Sequence, residues 1–77
     1  FKAYPNPVSD VLFLEGNFTD ETLIELYDQN GRRHISWLNE YGRNSISLDL
    51  SQFIPGVYWV NLRRRETVSK TKILVLR

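Results

Sequence analysis

The apolar residues of this chain recur at every second position, a spacing that fits one face of a β-strand and does not fit an α-helix. The alternation is regular over residues 22–28, 45–50 and 57–62. It predicts strands that each bury one face. The residues assigned to these buried faces are Ile24, Leu26, Ile46, Leu48, Leu50, Tyr58, Val60 and Leu62.

Turn signals separate these segments. Asn30-Gly31 predicts a hairpin with a type I′ turn, which needs positive φ at both central residues. Residues 39–44 are expected to form a second turn and residues 51–56 a corner. The predicted strands are residues 1–4, 11–15, 22–28, 32–38, 45–50, 57–62 and 67–76. About seven short strands with turns roughly every 8 to 12 residues indicate an all-β fold, an immunoglobulin-like antiparallel β-sandwich.

The pattern also predicts the role or the orientation of several single residues. Tyr58 follows the Pro55-Gly56 turn at a spacing that suits a tyrosine corner, in which the hydroxyl bonds to nearby backbone, so we expect a structural role for it. His34 falls at an inward position, as a partly buried neutral imidazole. Trp37 and Trp59 fall at outward positions.

The segment YPNPVSD, residues 4–10, is expected to be a rigid and non-helical lead-in to the strand that starts at Val11. Each proline fixes its own φ and has no backbone N–H. Each also biases the residue before it, Tyr4 or Asn6, toward extended geometry. The segment holds no catalytic group beyond one serine and one aspartate.

With 77 residues the chain has room for a single domain, residues 1–77, with one modest core. Its hydrophobic content of 42% is that of a folded domain. The absence of cysteine excludes disulfides and thiolate metal sites. No apolar run has the length of a transmembrane helix and no signal peptide is visible, so we expect no membrane insertion. Because the chain begins at Phe1 and lacks methionine, we expect it to be excised from a longer protein.

The residue inventory offers no catalytic or metal site. His34 is the only histidine, and Zn²⁺ rarely accepts a site without further histidine or cysteine ligands. Residues 28–31, DQNG, begin like a calcium loop, but no bidentate glutamate follows at the required position. No GxSxG motif surrounds a serine. We expect no enzyme activity and no cofactor.

Positive charge is concentrated toward the end of the chain. Residues 63–77 have a net charge of +5, whereas residues 1–62 have a net charge of −4. The arginines at residues 63–65, with Lys70 and Lys72, could meet phosphates. However, the chain as a whole is near neutral, and arginines at a hairpin turn commonly protect a sheet edge from aggregation. We therefore expect no nucleic acid partner.

Four blocks, YPNPVSD, IELYDQNGRR, LDLSQFIPGVYWVNL and KTKILVLR, resemble in order and spacing the type A C-terminal sorting domain of type IX secretion substrates. The resemblance covers nearly the whole chain. It departs from the family at His34, where an aliphatic residue is usual, and at Arg77, where lysine is common. The residues that it assigns to motifs or recognition are Pro5, Asn6, Pro7, Asp28, Gly31, Leu50, Gly56, Val57, Tyr58, Lys70, Lys72 and Arg77.

This resemblance implies a non-catalytic secretion signal. In the family, a cleavable linker joins the module to a passenger on its N-terminal side. The outer-membrane translocon of certain Gram-negative bacteria reads the module, and a sortase-like peptidase removes it. The protein would be exported through the periplasm to the cell surface or the medium. We expect the basic strand at residues 67–77, with nearby loops, to be the recognition surface, and loss of residues 73–77 to abolish export.

Three other interpretations stay open at this point. The chain could be an immunoglobulin- or fibronectin-like accessory module that binds carbohydrate or protein for an attached enzyme, if Trp37 and Trp59 share one exposed face. It could instead be an inert spacer. An exposed edge at residues 1–4 or 73–76 could also pair with a second copy, as an edge-strand dimer.

Overall fold

The computed structural model describes residues 1–16, 18, 21–39 and 43–77, and within them the regular structure is all β. The strands are β1 (Lys2–Tyr4), β2 (Val11–Glu15), β3 (Thr22–Asp28), β4 (Arg33–Asn39), β5 (Ser45–Asp49), β6 (Gly56–Arg64) and β7 (Thr67–Val75). Each begins and ends within two residues of its predicted bounds. The turn predicted at residues 39–44 includes residues 40–42, which lie outside the described residues. The described part of the chain contains no helix of the length and apolarity that crossing a membrane requires.

The strands form two antiparallel sheets, as an immunoglobulin-like sandwich requires. The smaller sheet has the strand order β1-β2-β5 and the larger one β4-β3-β6-β7. Burying one aliphatic side chain contributes about 1.5 to 3 kcal/mol, so the inward faces supply most of the stability. The buried core consists of Val8, Leu12, Leu14, Phe18, Ile24, Leu26, Ile46, Leu48, Leu50, Tyr58, Val60, Leu62, Ile73 and Val75.

The corner between β5 and β6 carries the chain from the smaller sheet to the larger one. The turn ends at Gly56, whose φ of +154° favours glycine. Tyr58 is only 5% exposed, and its hydroxyl donates a hydrogen bond of 2.6 Å to the carbonyl oxygen of Ile54. This bond satisfies a carbonyl that lies outside the strand ladders. The predicted tyrosine corner is therefore confirmed.

The hairpin between β3 and β4 forms as predicted, but its turn is not type I′. The Asp28 N–H donates to the Arg32 carbonyl at 2.9 Å, and the Gly31 N–H donates to the Asp28 carbonyl at 3.0 Å. Gly31 has φ +82°, whereas Asn30 does not have a positive φ. The loop therefore has three residues and ends on glycine. Asp28 Oδ1 favours this path because it accepts the N–H groups of Asn30 and Arg32.

A β-bulge in β4 changes which of its side chains face the core. The register shifts opposite Leu26 and Tyr27, and His34 is the extra residue. Beyond the bulge, Trp37 lies opposite the core residue Ile24 and shares its inner face. The prediction that Trp37 faces outward is wrong, because one extra residue shifts the alternation by one position.

Tyr58→Phe should lower the free energy of unfolding by about 1–2 kcal/mol, because the ring stays packed while the Ile54 carbonyl loses its hydrogen bond. Urea unfolding at neutral pH measures the change. Tyr4→Phe is the matched control, since the Tyr4 hydroxyl bonds at 2.9 Å to the exposed Glu15 carboxylate. Its loss should cost less than about 0.5 kcal/mol. Equal losses in the two variants would contradict the role of the corner.

Candidate recognition surface

The asparagine between the two prolines bonds directly to the backbone of β7. Asn6 Nδ2 donates to the carbonyl oxygen of Lys72 at 3.1 Å, and Asn6 Oδ1 accepts from the N–H of Leu74 at 2.9 Å. A side-chain amide carries the same donor and acceptor as a peptide group, so Asn6 occupies this edge as a short piece of strand would. The flanking Pro5 and Pro7 have no N–H that would need a partner.

Val8 continues the cover along the same edge. Its N–H donates to the Leu74 carbonyl at 2.8 Å, and its carbonyl accepts from the Leu76 N–H at 2.9 Å, around a parallel bridge to Val75. The Val8 side chain is 1% exposed and joins the core. The lead-in segment therefore closes the second half of the β7 edge. The edge at residues 73–76, one of the two that could pair with a second copy, is therefore covered from within the molecule.

Arg77 fastens the chain beyond β7 to the corner between β5 and β6. Its guanidinium donates to the carbonyl oxygens of Leu50 and Phe53. The Tyr58 hydroxyl holds the neighbouring carbonyl of Ile54. Two side chains from distant parts of the sequence therefore fix one corner through its backbone acceptors.

His34 joins the β3–β4 hairpin to this corner. Its Nε2 lies 2.9 Å from Asp28 Oδ2, and its ring centroid lies 5.4 Å from that of Phe53 and 5.8 Å from that of Tyr58. The His34 ring thus contacts two rings of the corner, but the residue as a whole is exposed rather than partly buried, and its side chain keeps 30% of its surface accessible. The hydrogen bond with His34, followed by those from turn N–H groups, holds the pKa of Asp28 below its ordinary value.

The structure places the motif residues around β6, β7 and the hairpin. One groove is lined by Asn6, Pro7, Val57, Lys72, Ile73 and Leu74. A second groove, on the outer face of the larger sheet, includes Asp28, Gly31, Trp59 and Lys70. Tyr58 and Arg77 hold the corner, Gly56 begins β6 beside it, and Pro5 is exposed in the lead-in segment.

Asp28 does not begin a calcium loop. Its Oδ1 accepts two turn N–H groups at 2.9 and 3.0 Å, and its Oδ2 lies against His34. In the ranges 1–16, 21–39 and 43–77, no three histidine, aspartate or glutamate side chains are close enough together to hold a metal ion.

The outer face of the larger sheet contains a buried carboxylate that the sequence pattern did not single out. Glu25 points outward, yet it is only 3% exposed. It accepts hydrogen bonds from Arg63 Nε at 2.6 Å, from the Tyr27 hydroxyl at 2.9 Å and from Arg33 Nη1 at 3.4 Å. Opposite charges at outward positions of neighbouring strands are the signal for such a cluster, but only the strand register brings them together.

The pKa of Glu25 reflects two opposing effects. Burial raises the pKa of this carboxyl, whereas hydrogen bonds from Arg63, Tyr27 and Arg33 lower it, and the balance lies below the ordinary value of 4.5. The carboxylate is therefore charged at neutral pH. It holds Arg63 in an ion pair, although half of that arginine side chain remains exposed.

The two tryptophans lie on opposite faces of the larger sheet. Trp59 is paired with Tyr27 and Lys72 on the outer face and is 39% exposed, as predicted. Trp37 shares the inner face with Ile24. The two rings cannot form one stacking platform for a sugar, so the accessory-module interpretation loses the observation that would have favoured it.

The sequence that carries these motifs matches a known protein family. The family model of secretion system C-terminal sorting domains matches residues 2–76. The chain belongs to this family. It is thus a type IX secretion C-terminal sorting domain, and the match spans both the lead-in segment and the basic last strand. A comparison with curated proteins gave no match. Membership implies interaction with the type IX machinery and export to the outer membrane, the cell surface or the medium.

Asn6→Ala should lower the free energy of unfolding of the sorting domain by about 1–2 kcal/mol, because two backbone groups of β7 lose their protein partners. Hydrogen exchange should show faster exchange of the Leu74 amide. Asn6→Asp keeps the acceptor for that amide and loses the donor for Lys72, so it should preserve more of the protection. Asn44→Ala, an exposed control, should change neither quantity. An unchanged Leu74 exchange rate in Asn6→Ala would contradict the edge role.

Glu25 should make stability depend on pH. Because its pKa is lower in the folded state, its contribution is present above the unfolded-state pKa and is lost as the pH falls through the folded one. The free energy of unfolding should therefore decrease below about pH 4.5, and less steeply in Glu25→Gln. At neutral pH this variant should be less stable by about 1 kcal/mol, since its arginine partners are half exposed. Exposed Glu66→Gln should leave the profile unchanged, and a Glu25→Gln profile identical to wild type would refute the assignment.

Proposed function

We propose that this domain is a non-catalytic signal that directs a passenger, covalently attached on its N-terminal side, through the type IX outer-membrane translocon. A sortase-like peptidase then cleaves the domain off. The passenger passes through the periplasm and reaches the cell surface or the medium. Membership of the sorting-domain family supports this proposal.

The observation that carries the proposal is the meeting of the two ends of the family match on β7. Asn6 bonds to backbone groups that lie 66 and 68 positions further along the chain. A receptor that contacts β7 at this point therefore reads a surface that exists only in the folded domain. Such a surface suits a secretion signal, which a receptor recognises by its shape and charge and which catalyses no reaction.

Basic side chains give this surface of β7 its positive charge. Lys70 and Lys72 are exposed on the outer face of β7. Their field favours an acidic partner and speeds its encounter. Ile73 and Val75, in contrast, are buried in the core. Deleting residues 73–77 would remove core and charge together, so substitutions at the exposed lysines separate recognition from folding better.

Lys70→Glu combined with Lys72→Glu should reduce secretion of a fluorescent passenger by about tenfold or more, because repulsion of an acidic receptor replaces attraction. The passenger carries an export signal, and the fusion is expressed in a bacterium with a working type IX system. Fluorescence is compared between the medium, the cell surface and the periplasm. Circular dichroism of the isolated variant checks that the fold is kept.

Lys2→Glu combined with Arg43→Glu is the matched control. It makes the same change in net charge at exposed positions of the smaller sheet and the segment before β5, and it should be exported like wild type. If the Lys70 and Lys72 variant is exported at the wild-type level, these lysines are not part of the surface that the translocon recognises. Retention of the folded wild-type fusion in the periplasm would overturn the sorting function itself.

A further inference from the structure

The free edge of β7 is covered over only part of its length. β7 is the outermost strand of the larger sheet. The cover begins at the carbonyl of Lys72, which Asn6 binds, and it ends at the N–H of Leu76, which Val8 binds. The first half of the strand, toward Thr67, lies outside this cover.

In the described part of the chain, the backbone groups of this first half that point away from β6 have no hydrogen-bond partner. Both groups of Leu74 point to the free edge, and this direction alternates along an antiparallel strand. The N–H and C=O of Val68 and Lys70, and the N–H of Lys72, therefore point to it as well. Within the described residues nothing is hydrogen-bonded to these groups, and the Val68 side chain is 46% exposed.

We propose that residues 68–72 bind an extended, acidic segment of a partner protein, which adds to the larger sheet as a further strand. In this mode of recognition, main-chain hydrogen bonds supply affinity and alternate side chains supply specificity. Asn6 sets the end of the site, because its amide already occupies the next position along the edge. The added segment is therefore about five residues long, the length of the open edge.

Charge on the outer face selects the chemistry of the segment. The side chains of Lys70 and Lys72 point to this face, as their pairing with Asn61 and Trp59 shows. Outward side chains of an added strand would lie directly beside these lysines, at the distance of a cross-strand pair. Carboxylates at these positions pair with both ammonium groups.

The same charge disfavours a second copy as the occupant. Two antiparallel β7 strands centred on Lys70 would place the two Lys70 side chains directly opposite each other. Like charges in that position are destabilising, and edge lysines are a common device against self-association. The edge therefore rejects its own sequence while it attracts an acidic one.

The inner face selects apolar residues between the acidic ones. Beside the open edge lies a cleft of about 210 Å³, lined by Phe1, Phe18, Leu62 and Ser69 among others. An inward side chain of the added strand, opposite Ser69, would face this cleft. Acidic residues alternating with apolar ones therefore fit both faces of the site.

This inference rests on the proposed function to the extent that the partner belongs to the secretion machinery, but the contact itself is tested without it. The probe is a capped peptide of seven residues in which valine alternates with glutamate. Binding to the purified domain is followed by two-dimensional NMR and by hydrogen exchange. The amides of Val68, Lys70 and Lys72 should shift and become protected, while those of β1 and β2 should not.

Two variants at one position separate the backbone contact from the charge. Lys70→Pro removes an N–H that faces solvent, a replacement that edge strands tolerate, and it should weaken peptide binding by about tenfold or more. Lys70→Gln keeps the N–H and should weaken binding less. A peptide with lysine in place of glutamate should not bind. Exchange protection in the wild-type domain needs no variant, so the test stands even where Lys70→Pro fails to fold.

Failure of the acidic peptide to protect the Val68 and Lys70 amides would overturn the inference. Equal binding of the acidic and basic peptides would overturn the choice of an acidic partner. That choice would also be overturned if the wild-type domain sedimented as a dimer and the Lys70→Pro variant sedimented as a monomer, because a second copy would then occupy the edge. Export of a Lys70→Pro fusion at the wild-type level would separate this edge from the secretion machinery while leaving the sorting function intact.

Discussion

The free edge of β7 is the constraint around which the rest of the domain is arranged. An uncovered strand edge offers a row of backbone donors and acceptors to any other chain. Here the segment before β2 returns to that edge, where the Asn6 amide and the Val8 backbone occupy it. The partners lie 66 or more positions apart in the sequence. The prolines serve this arrangement because they bring no unpaired N–H to the edge.

The corner between β5 and β6 is joined to the covered end of that edge, because Arg77, which follows β7, bonds to its carbonyls. A chain of 77 residues buries a modest core, so bonds from side chains to loop carbonyls matter more than in a larger domain. Tyr58 and Arg77 satisfy such carbonyls, and His34 packs against Phe53 and bonds Asp28. The hairpin, the corner and the residue after β7 are thereby joined through side chains, in a domain that contains no disulfide.

The alternation of apolar and polar residues predicted the features that depend on neighbouring residues alone. β5 buries one face and exposes the other, so alternation alone located it with Ile46 and Leu48 inward. At the bulge, His34 contacts rings of a corner that is distant in the sequence, and no local signal marks the bulge, so the face of Trp37 could not be predicted. The ion pairs of Glu25 likewise depend on the register between β3 and its neighbours. The residues proposed for recognition came from family resemblance, whereas the contact of Asn6 with β7 depends on the tertiary fold.

The lysines of β7 begin where the cover of its edge ends, and this coincidence has a physical reason. An edge that must stay free for a partner cannot be protected by a covering loop or by a proline in the strand, since both would remove the hydrogen-bonding groups. Charge protects it differently, because it repels an identical edge and leaves the backbone available. In the proposed mode of recognition, Lys70 and Lys72 leave one half of β7 open and disfavour its pairing with an identical edge. Selectivity against its own copies and attraction of an acidic partner come from the same two side chains.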